Sequence, residues 1–175
     1  MNETATTRVT DEAGVETTPD PNVRAIVQDG YGSADTLSVG VIPTPAIAPD
    51  EVLIDVAAAG LDRGVWHLMA GEPYLIRLMG YGLMRPKNPV PGADVAGRVV
   101  AIGNSVSKFS VGDEVFGIAR GAFAEMAAAK ESKLSHRPPN INSDVAAAAA
   151  ISGITALQAL TEIAAVETGQ TDQVI

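Results

Sequence analysis

Two short runs of β-branched residues, each punctuated by glycine, constrain the fold of this chain more than any other feature. The first lies in the segment 91–103, PGADVAGRVVAIG, and the second lies in the segment 111–117, VGDEVFG. Valine and isoleucine favour strands, while glycine lets a small barrel turn a corner or bring two backbones close together. The sequence therefore predicts a compact β-barrel with strands over 95–102 and 114–118.

The composition is typical of one globular module. The chain has 175 residues, of which 46% are hydrophobic and 19% are charged, which is enough for one core and too little for two full domains. A net charge of -9 disfavours nucleic acids and anionic membrane surfaces as partners. The absence of cysteine excludes disulfides and thiolate metal sites. Because neither a signal peptide nor an uninterrupted apolar span is recognisable, we predict a cytoplasmic protein without a membrane segment.

Three regions are predicted along the chain. Residues 1–22 are rich in Thr, Asp and Glu, which is typical of a disordered leader. Residues 23–140 form the barrel, and residues 141–175 form linking helices. Asp62 is a natural N-cap for a short helix over 62–69. Three further strands are predicted by strand-favouring runs between turn residues, at 24–28, 36–42 and 51–58. A fourth is predicted more weakly at 122–129, which is rich in helix-favouring alanine but lies between barrel turns.

The linking region carries two helical patterns. Ser143 is expected to cap a helix over 144–150, and a second helix over about 155–166 follows Gly153. Gly169 is expected to end that second helix.

The segment 71–89 is long for a connection and rich in large apolar residues, including Tyr74 and Tyr81. Such side chains are costly to leave in water. One interpretation is a short helix packed on the barrel, because helical spacing of apolar residues usually means burial. The other is the wall or lid of an apolar substrate pocket. The basic residues Arg77, Arg85 and Lys87 are interpreted as a solvated face.

The two glycine-punctuated segments closely resemble the catalytic domain of the medium-chain dehydrogenases/reductases, in the branch that contains zinc-independent quinone reductases. The resemblance extends over roughly 23–166. It implies a mainly β fold with short helices, a GroES-like small β-barrel. It also implies hydride transfer from NADPH to a small electrophile: a quinone, an enone or an aldehyde.

The resemblance also locates the positions that hold zinc in the related alcohol dehydrogenases. They fall here on Asp62, Ala93 and Ile151. Alanine and isoleucine have no ligand atoms, and a lone carboxylate does not complete a tetrahedral site. We therefore expect no bound metal.

Candidate site residues follow from the same resemblance. Asp62 and His67 are the candidate catalytic residues, since His67 matches a proton-relay position and histidine is the side chain that most often transfers protons in enzymes. The alternative for His67 is simple packing beside its neighbour on the helix. The candidates for substrate binding are the aromatic residues Trp66, Tyr74 and Tyr81. Two further positions, Thr155 and Gly92, match residues close to the nicotinamide.

The cofactor apparatus of the family is not recognisable in this sequence. No G-x-G-x-x-G occurs. The resemblance implies a nucleotide-binding Rossmann domain, of which 141–175 would hold only the first residues after the linking helices. We therefore expect a truncated substrate-side domain that is inactive as an isolated chain and self-associates through its exposed cleft. The alternative is a non-catalytic remnant or binding module, with a co-chaperonin a distant third because nothing resembles the mobile loop of that family.

Overall fold

Seven strands, two α-helices and four short helical turns make up the regular structure of the described residues. The computed structural model describes residues 20–75 and 77–165, so residues 1–19 of the predicted leader and the predicted helix end at Gly169 lie outside it. The elements are β1 (Asn22–Gln28), β2 (Leu37–Pro43), β3 (Glu51–Ala59), α1 (Arg63–Ala70), β4 (Asp94–Ile102), β5 (Glu114–Ile118), β6 (Met126–Lys130), β7 (Leu134–His136) and α2 (Ser143–Gln158). Residues 20–22 are ordered by hydrogen bonds, since the Thr44 amide donates to the Pro21 carbonyl.

The strands form two antiparallel sheets. The larger sheet has the order β6-β3-β4-β5-β7, and β1 pairs with β2 in the smaller one. An Ala25–Ala124 bridge and the hydrogen bond from the Ile26 amide to the Phe123 carbonyl join the two. This is the mainly β, GroES-like architecture that the sequence predicted, and the strands at 51–58, 95–102 and 114–118 are confirmed to within a residue.

The core is built from β-branched side chains on one face of the large sheet. Val52, Ile54, Val95, Val99 and Val115 are fully buried and belong to one cluster. Burying each such side chain stabilises the fold by roughly 1.5–3 kcal/mol. The β-branched runs are thus the inside of the barrel.

Gly97 shows why glycine interrupts the β-branched runs. Gly97 pairs with Val56 across β3 and β4, where the register shifts. A Cβ at Gly97 would collide with the Asp55 carbonyl oxygen. Only glycine allows the two strands to approach this closely.

The two helices differ in how well the sequence anticipated them. Asp62 caps α1 as predicted, accepting a hydrogen bond from the Val65 amide at 2.8 Å. The linking region was predicted wrongly, because α2 runs unbroken through Gly153 and begins after Asn142, whose side chain makes no capping bond. A mid-helix glycine costs only about 1 kcal/mol. The burial of Ala146, Ala147 and Ala150 against the barrel holds the helix in place.

Two further predictions need correction. The weak strand at 122–129 is shorter, and only Met126–Lys130 is a strand. Helix α2 continues into a wider turn, Ala159–Ile163. Among the described residues, the combined helix Ser143–Ile163 is long and apolar enough to cross a membrane by length and composition alone, which the sequence analysis did not foresee.

Candidate functional site

A cavity of about 370 Å³ lies between the end of β1, helix α1 and the start of β4. Gln28 and Tyr31 line one side, Val65 and Met69 of α1 line another, and Gly92 forms part of the floor. The walls are mostly apolar with a few polar groups, which is the usual character of a small-molecule site. We refer to it as the loop cavity, because the 71–89 segment supplies the rest of its wall.

The 71–89 segment contributes Gly80, Tyr81, Pro86, Lys87 and Asn88 to the loop cavity. The described apolar side chains at its other positions are largely exposed. Several are more than 60% exposed: Tyr74, Leu75, Leu78, Met79, Leu83 and Met84. A short helical turn does form at Arg77–Tyr81, but none of its residues is buried. The interpretation of the segment as a helix packed on the barrel is therefore wrong, and part of it forms a pocket wall.

Arg77 holds the segment against the barrel. Its guanidinium lies 4.3 Å from the ring centre of Tyr31 and 4.7 Å from that of Tyr74. It also donates hydrogen bonds to the carbonyls of Gly71 and Ala70, at 2.9 and 3.4 Å. Arg77 is thus a structural contact between α1 and the segment rather than part of a solvated face.

The backbone conformation of Gly92 and the atoms around it exclude any other residue type at this position. Its φ is 92°, in the region that favours glycine. A Cβ there would lie 2.5 Å from the Phe123 ring. The cavity floor at this point is therefore bare backbone.

The three positions that match zinc ligands converge in space. The Asp94 carboxylate, next to Ala93, accepts a hydrogen bond from the Ile151 amide at 3.1 Å. Burial is the main cause that raises the pKa of Asp94 to about 6; the hydrogen bond from the Ile151 amide lowers this pKa, and the nearby Asp62 carboxylate adds to the rise. Asp94 is only 1% exposed, and Asp62 Oδ2 is buried without a hydrogen-bond partner. The interacting carboxylates of Asp62 and Asp94 thus lie at, or next to, positions that the resemblance matches to zinc ligands.

No other potential ligand joins these carboxylates. Within 20–75 and 77–165, no three His, Cys, Asp or Glu side chains come close enough to hold a metal ion. Ala93 itself lines the loop cavity, so the cluster borders the cavity.

The barrel fold of this chain has relatives among known proteins. Residues 48–139 match the alcohol dehydrogenase GroES-like domain family. The chain belongs to this family. It is a GroES-like domain of the medium-chain dehydrogenases/reductases, in their quinone reductase-like branch.

Individual relatives agree with this assignment. A quinone-oxidoreductase homolog from Spinacia oleracea, named chloroplastic, is 35% identical over 152 residues, which are 81% of this chain and 43% of that protein. A quinone oxidoreductase structure from Coxiella burnetii is similar at a TM-score of 0.75 and 27% identity, over 85% of this chain and 47% of that one. A mycobacterial protein complexed with NADPH is similar at a TM-score of 0.72 and 30% identity, over 84% and 42%. The GroES-like domain thus spans less than half of these relatives.

The candidate site residues fall into two groups. Tyr81 and Gly92 line the loop cavity. The remaining candidates do not line it; these are Asp62, Trp66, His67, Tyr74 and Thr155. The candidates therefore do not form one constellation in the loop cavity.

Two of the candidates outside the cavity already have local partners. His67 Nδ1 lies 2.9 Å from the Glu72 carbonyl oxygen, so neutral His67 carries its proton on Nδ1 and leaves Nε2 as an acceptor. The Thr155 hydroxyl donates to the Ile151 carbonyl of its own helix at 2.8 Å.

The sequence analysis missed two buried polar residues at this site. Gln28 ends β1, and Asp94 begins β4; both are almost fully buried. Alternation along β1 places Val23 and Ala25 inside and would place Gln28 outside. No local sequence signal therefore pointed to Gln28.

Proposed function

We propose that this GroES-like domain is the substrate-side domain of a metal-independent oxidoreductase, in which NADPH delivers a hydride to a quinone, an enone or an aldehyde. The supporting relatives are named quinone oxidoreductases, and others are enoyl reductases. The observation that carries the proposal is the loop cavity, whose floor at Gly92 and Ala93 borders the positions that match zinc ligands. An apolar wall there suits an aromatic or conjugated carbonyl compound.

The domain's own contribution is binding and orientation. Val65 and Met69 provide apolar contacts for a ring, and Tyr81 closes one side. Holding the acceptor carbon in a fixed place supplies much of the acceleration of a transfer reaction. His67 remains a candidate proton donor, and this role can be tested only in the complete enzyme.

The described residues do not fit the whole cofactor. All strand pairs in 20–75 and 77–165 are antiparallel, whereas a dinucleotide site needs parallel strands joined by a helix. Of the two candidates for contact with the nicotinamide, Gly92 lines the loop cavity, whereas Thr155 does not, and its hydroxyl donates to its own helix. We therefore assign no step of the reaction to NADPH bound by this chain alone.

The location of the protein stays a prediction. Relatives from Spinacia oleracea, Triphysaria versicolor and Arabidopsis thaliana are named as chloroplast proteins. Family membership therefore does not by itself favour the cytoplasm, and we retain the cytoplasmic placement as a proposal only.

A ligand titration tests the proposed site. Duroquinone has no free ring position to react with lysine, so it reports binding alone. We expect saturable changes in the ¹H–¹⁵N NMR signals of Gly92 and Gly121, which line the loop cavity. Gly112, in the turn between β4 and β5, is the matched control and should not shift. Changes elsewhere, or none up to millimolar quinone, would favour the non-catalytic remnant or binding module.

A further inference from the structure

The charged residues that line the loop cavity are both basic. They are Lys87, in the 71–89 segment, and Arg120, which follows β5. Within 20–75 and 77–165, no Asp or Glu lines the cavity, although the whole chain has 21 acidic residues and only 12 basic ones. The lining of the cavity therefore differs in sign from the chain as a whole.

Two buried carboxylates lie behind the cavity wall and are held by other groups. Glu51 pairs with Arg120 at 3.3 Å and accepts a hydrogen bond from the Ala48 amide at 2.9 Å. Asp94, next to the lining residue Ala93, accepts from the Ile151 amide at 3.1 Å. Glu51 is 7% exposed and Asp94 is 1% exposed. Neither carboxylate is therefore placed to meet a ligand in the cavity.

Lys87 is a cation of the wall whose charge is not matched by the protein. Its side chain is exposed, and its ammonium makes no hydrogen bond or ion pair with the part of the chain that the structure describes. Its backbone amide donates to the Tyr81 carbonyl at 2.8 Å, which holds the main chain of Lys87 at the cavity wall. The flexible four-carbon side chain is left free to turn towards a ligand.

We infer that Lys87 is a specificity-determining residue of the loop cavity, whose ammonium binds a carboxylate of the substrate. A charge-assisted hydrogen bond to a carboxylate is stronger than one between neutral groups, and the apolar wall receives the rest of the ligand. The inference rests on the proposed function and narrows its substrate class. The preferred substrates are conjugated carbonyl compounds that also carry a carboxylate.

A pair of probes tests this preference without the cofactor. 2-Naphthoate and 2-naphthamide share a two-ring body and a planar group of similar size, but only the naphthoate is charged at neutral pH. Followed by the Gly92 and Gly121 amide signals, the naphthoate should bind about fivefold more tightly at low salt, as expected for an ion pair at an exposed lysine. The net charge of -9 on the chain would by itself give the opposite order.

Two matched variants separate Lys87 from the charge of the whole chain. Lys87→Met keeps a long unbranched side chain without its charge, and the preference for naphthoate should disappear. Arg85→Met removes one positive charge from an exposed position of the same segment that does not line the cavity, and the preference should remain. Survival of the preference in Lys87→Met, or equal losses in the two variants, would overturn the inference.

The salt dependence gives a second test on the unaltered protein. Salt screens an exposed ion pair and leaves apolar contacts in place, so the preference for naphthoate should fall below about twofold near 0.5 M NaCl. A preference that does not change with salt would contradict an ion pair with Lys87.

An anion at Lys87 could also be a phosphate of the cofactor, and nicotinamide mononucleotide distinguishes the two sources. It should bind more weakly than naphthoate. Tighter binding that is lost in Lys87→Met would assign Lys87 to the cofactor and overturn the inference. Equal affinity of naphthoate and naphthamide would overturn it while leaving the proposed function standing, whereas failure of both probes and of duroquinone to bind would refute both.

Discussion

Burial determines the protonation of Asp94. Its pKa is raised to about 6, so the folded protein holds a proton that the unfolded chain releases near 3.8. The stabilisation from this proton is complete below pH 3.8 and is lost as the pH rises through about 6. A rise of this size corresponds to on the order of 2 to 3 kcal/mol.

The variant Asp94→Asn tests this linkage, because asparagine can still accept from the Ile151 amide but does not titrate. The melting temperature of the variant minus that of the unaltered protein should increase between pH 4 and 7 and level off above. Comparing the two proteins cancels the opposite trend of Asp50, Glu125 and Glu131, whose pKa values are lowered. A difference that is constant from pH 4 to 8 would contradict the buried, protonated Asp94.

His67 links the end of α1 to the following turn through its Nδ1 atom. His67→Ala removes this hydrogen bond and should lower stability by about 0.5–1.5 kcal/mol. His67→Asn is the control, because its amide donor sits near the position of Nδ1. Thermal melts of the two variants should therefore differ, with asparagine close to the unaltered protein. If both variants melt alike, the bond to Glu72 does not stabilise the helix end.

At the scale of elements, Arg77 keeps the 71–89 segment in contact with the barrel. Arg77→Lys keeps the charge but loses the planar group that stacks between Tyr31 and Tyr74. Chymotrypsin, which cleaves after the segment's tyrosines and not after arginine or lysine, should then cut the segment several times faster. Arg85→Lys, an exposed position in the same segment, should leave the rate unchanged. Equal rates for the two variants would assign the contact no stabilising role.

The sequence predicted most of the barrel because its strands are β-branched runs bounded by glycine and proline, as in β3 and β4. Asp62 was predictable as a cap because the signal lies within four residues. Gln28 was not, because its burial depends on β1 meeting α1 and the 71–89 segment in space. The unbroken path of α2 through Gly153 likewise depends on packing against the barrel.

At the scale of the whole molecule, the outer face of α2 and the turn after it are apolar and are left uncovered by the rest of the described residues, 20–75 and 77–165. Ile154, Leu157 and Ile163 are each at least half exposed. Apolar patches of this kind promote association. We expect light scattering to detect oligomers, and Leu157→Lys to shift them towards monomer. Gln158→Lys, the same charge at the neighbouring exposed position, should not do so, and a monodisperse monomer for the unaltered chain would contradict the expectation.

We propose that this chain binds the substrate but does not bind NADPH by itself. The most direct measurement is the oxidation of NADPH at 340 nm with duroquinone present, together with a titration of NADPH fluorescence on the purified 175-residue chain. We predict no saturable fluorescence change at micromolar NADPH and no oxidation above the rate without protein, because the strand pairs within 20–75 and 77–165 are all antiparallel and provide no pyrophosphate site. Binding at micromolar affinity with quinone-dependent oxidation of NADPH would contradict this account and would mean that another surface of the barrel holds the cofactor.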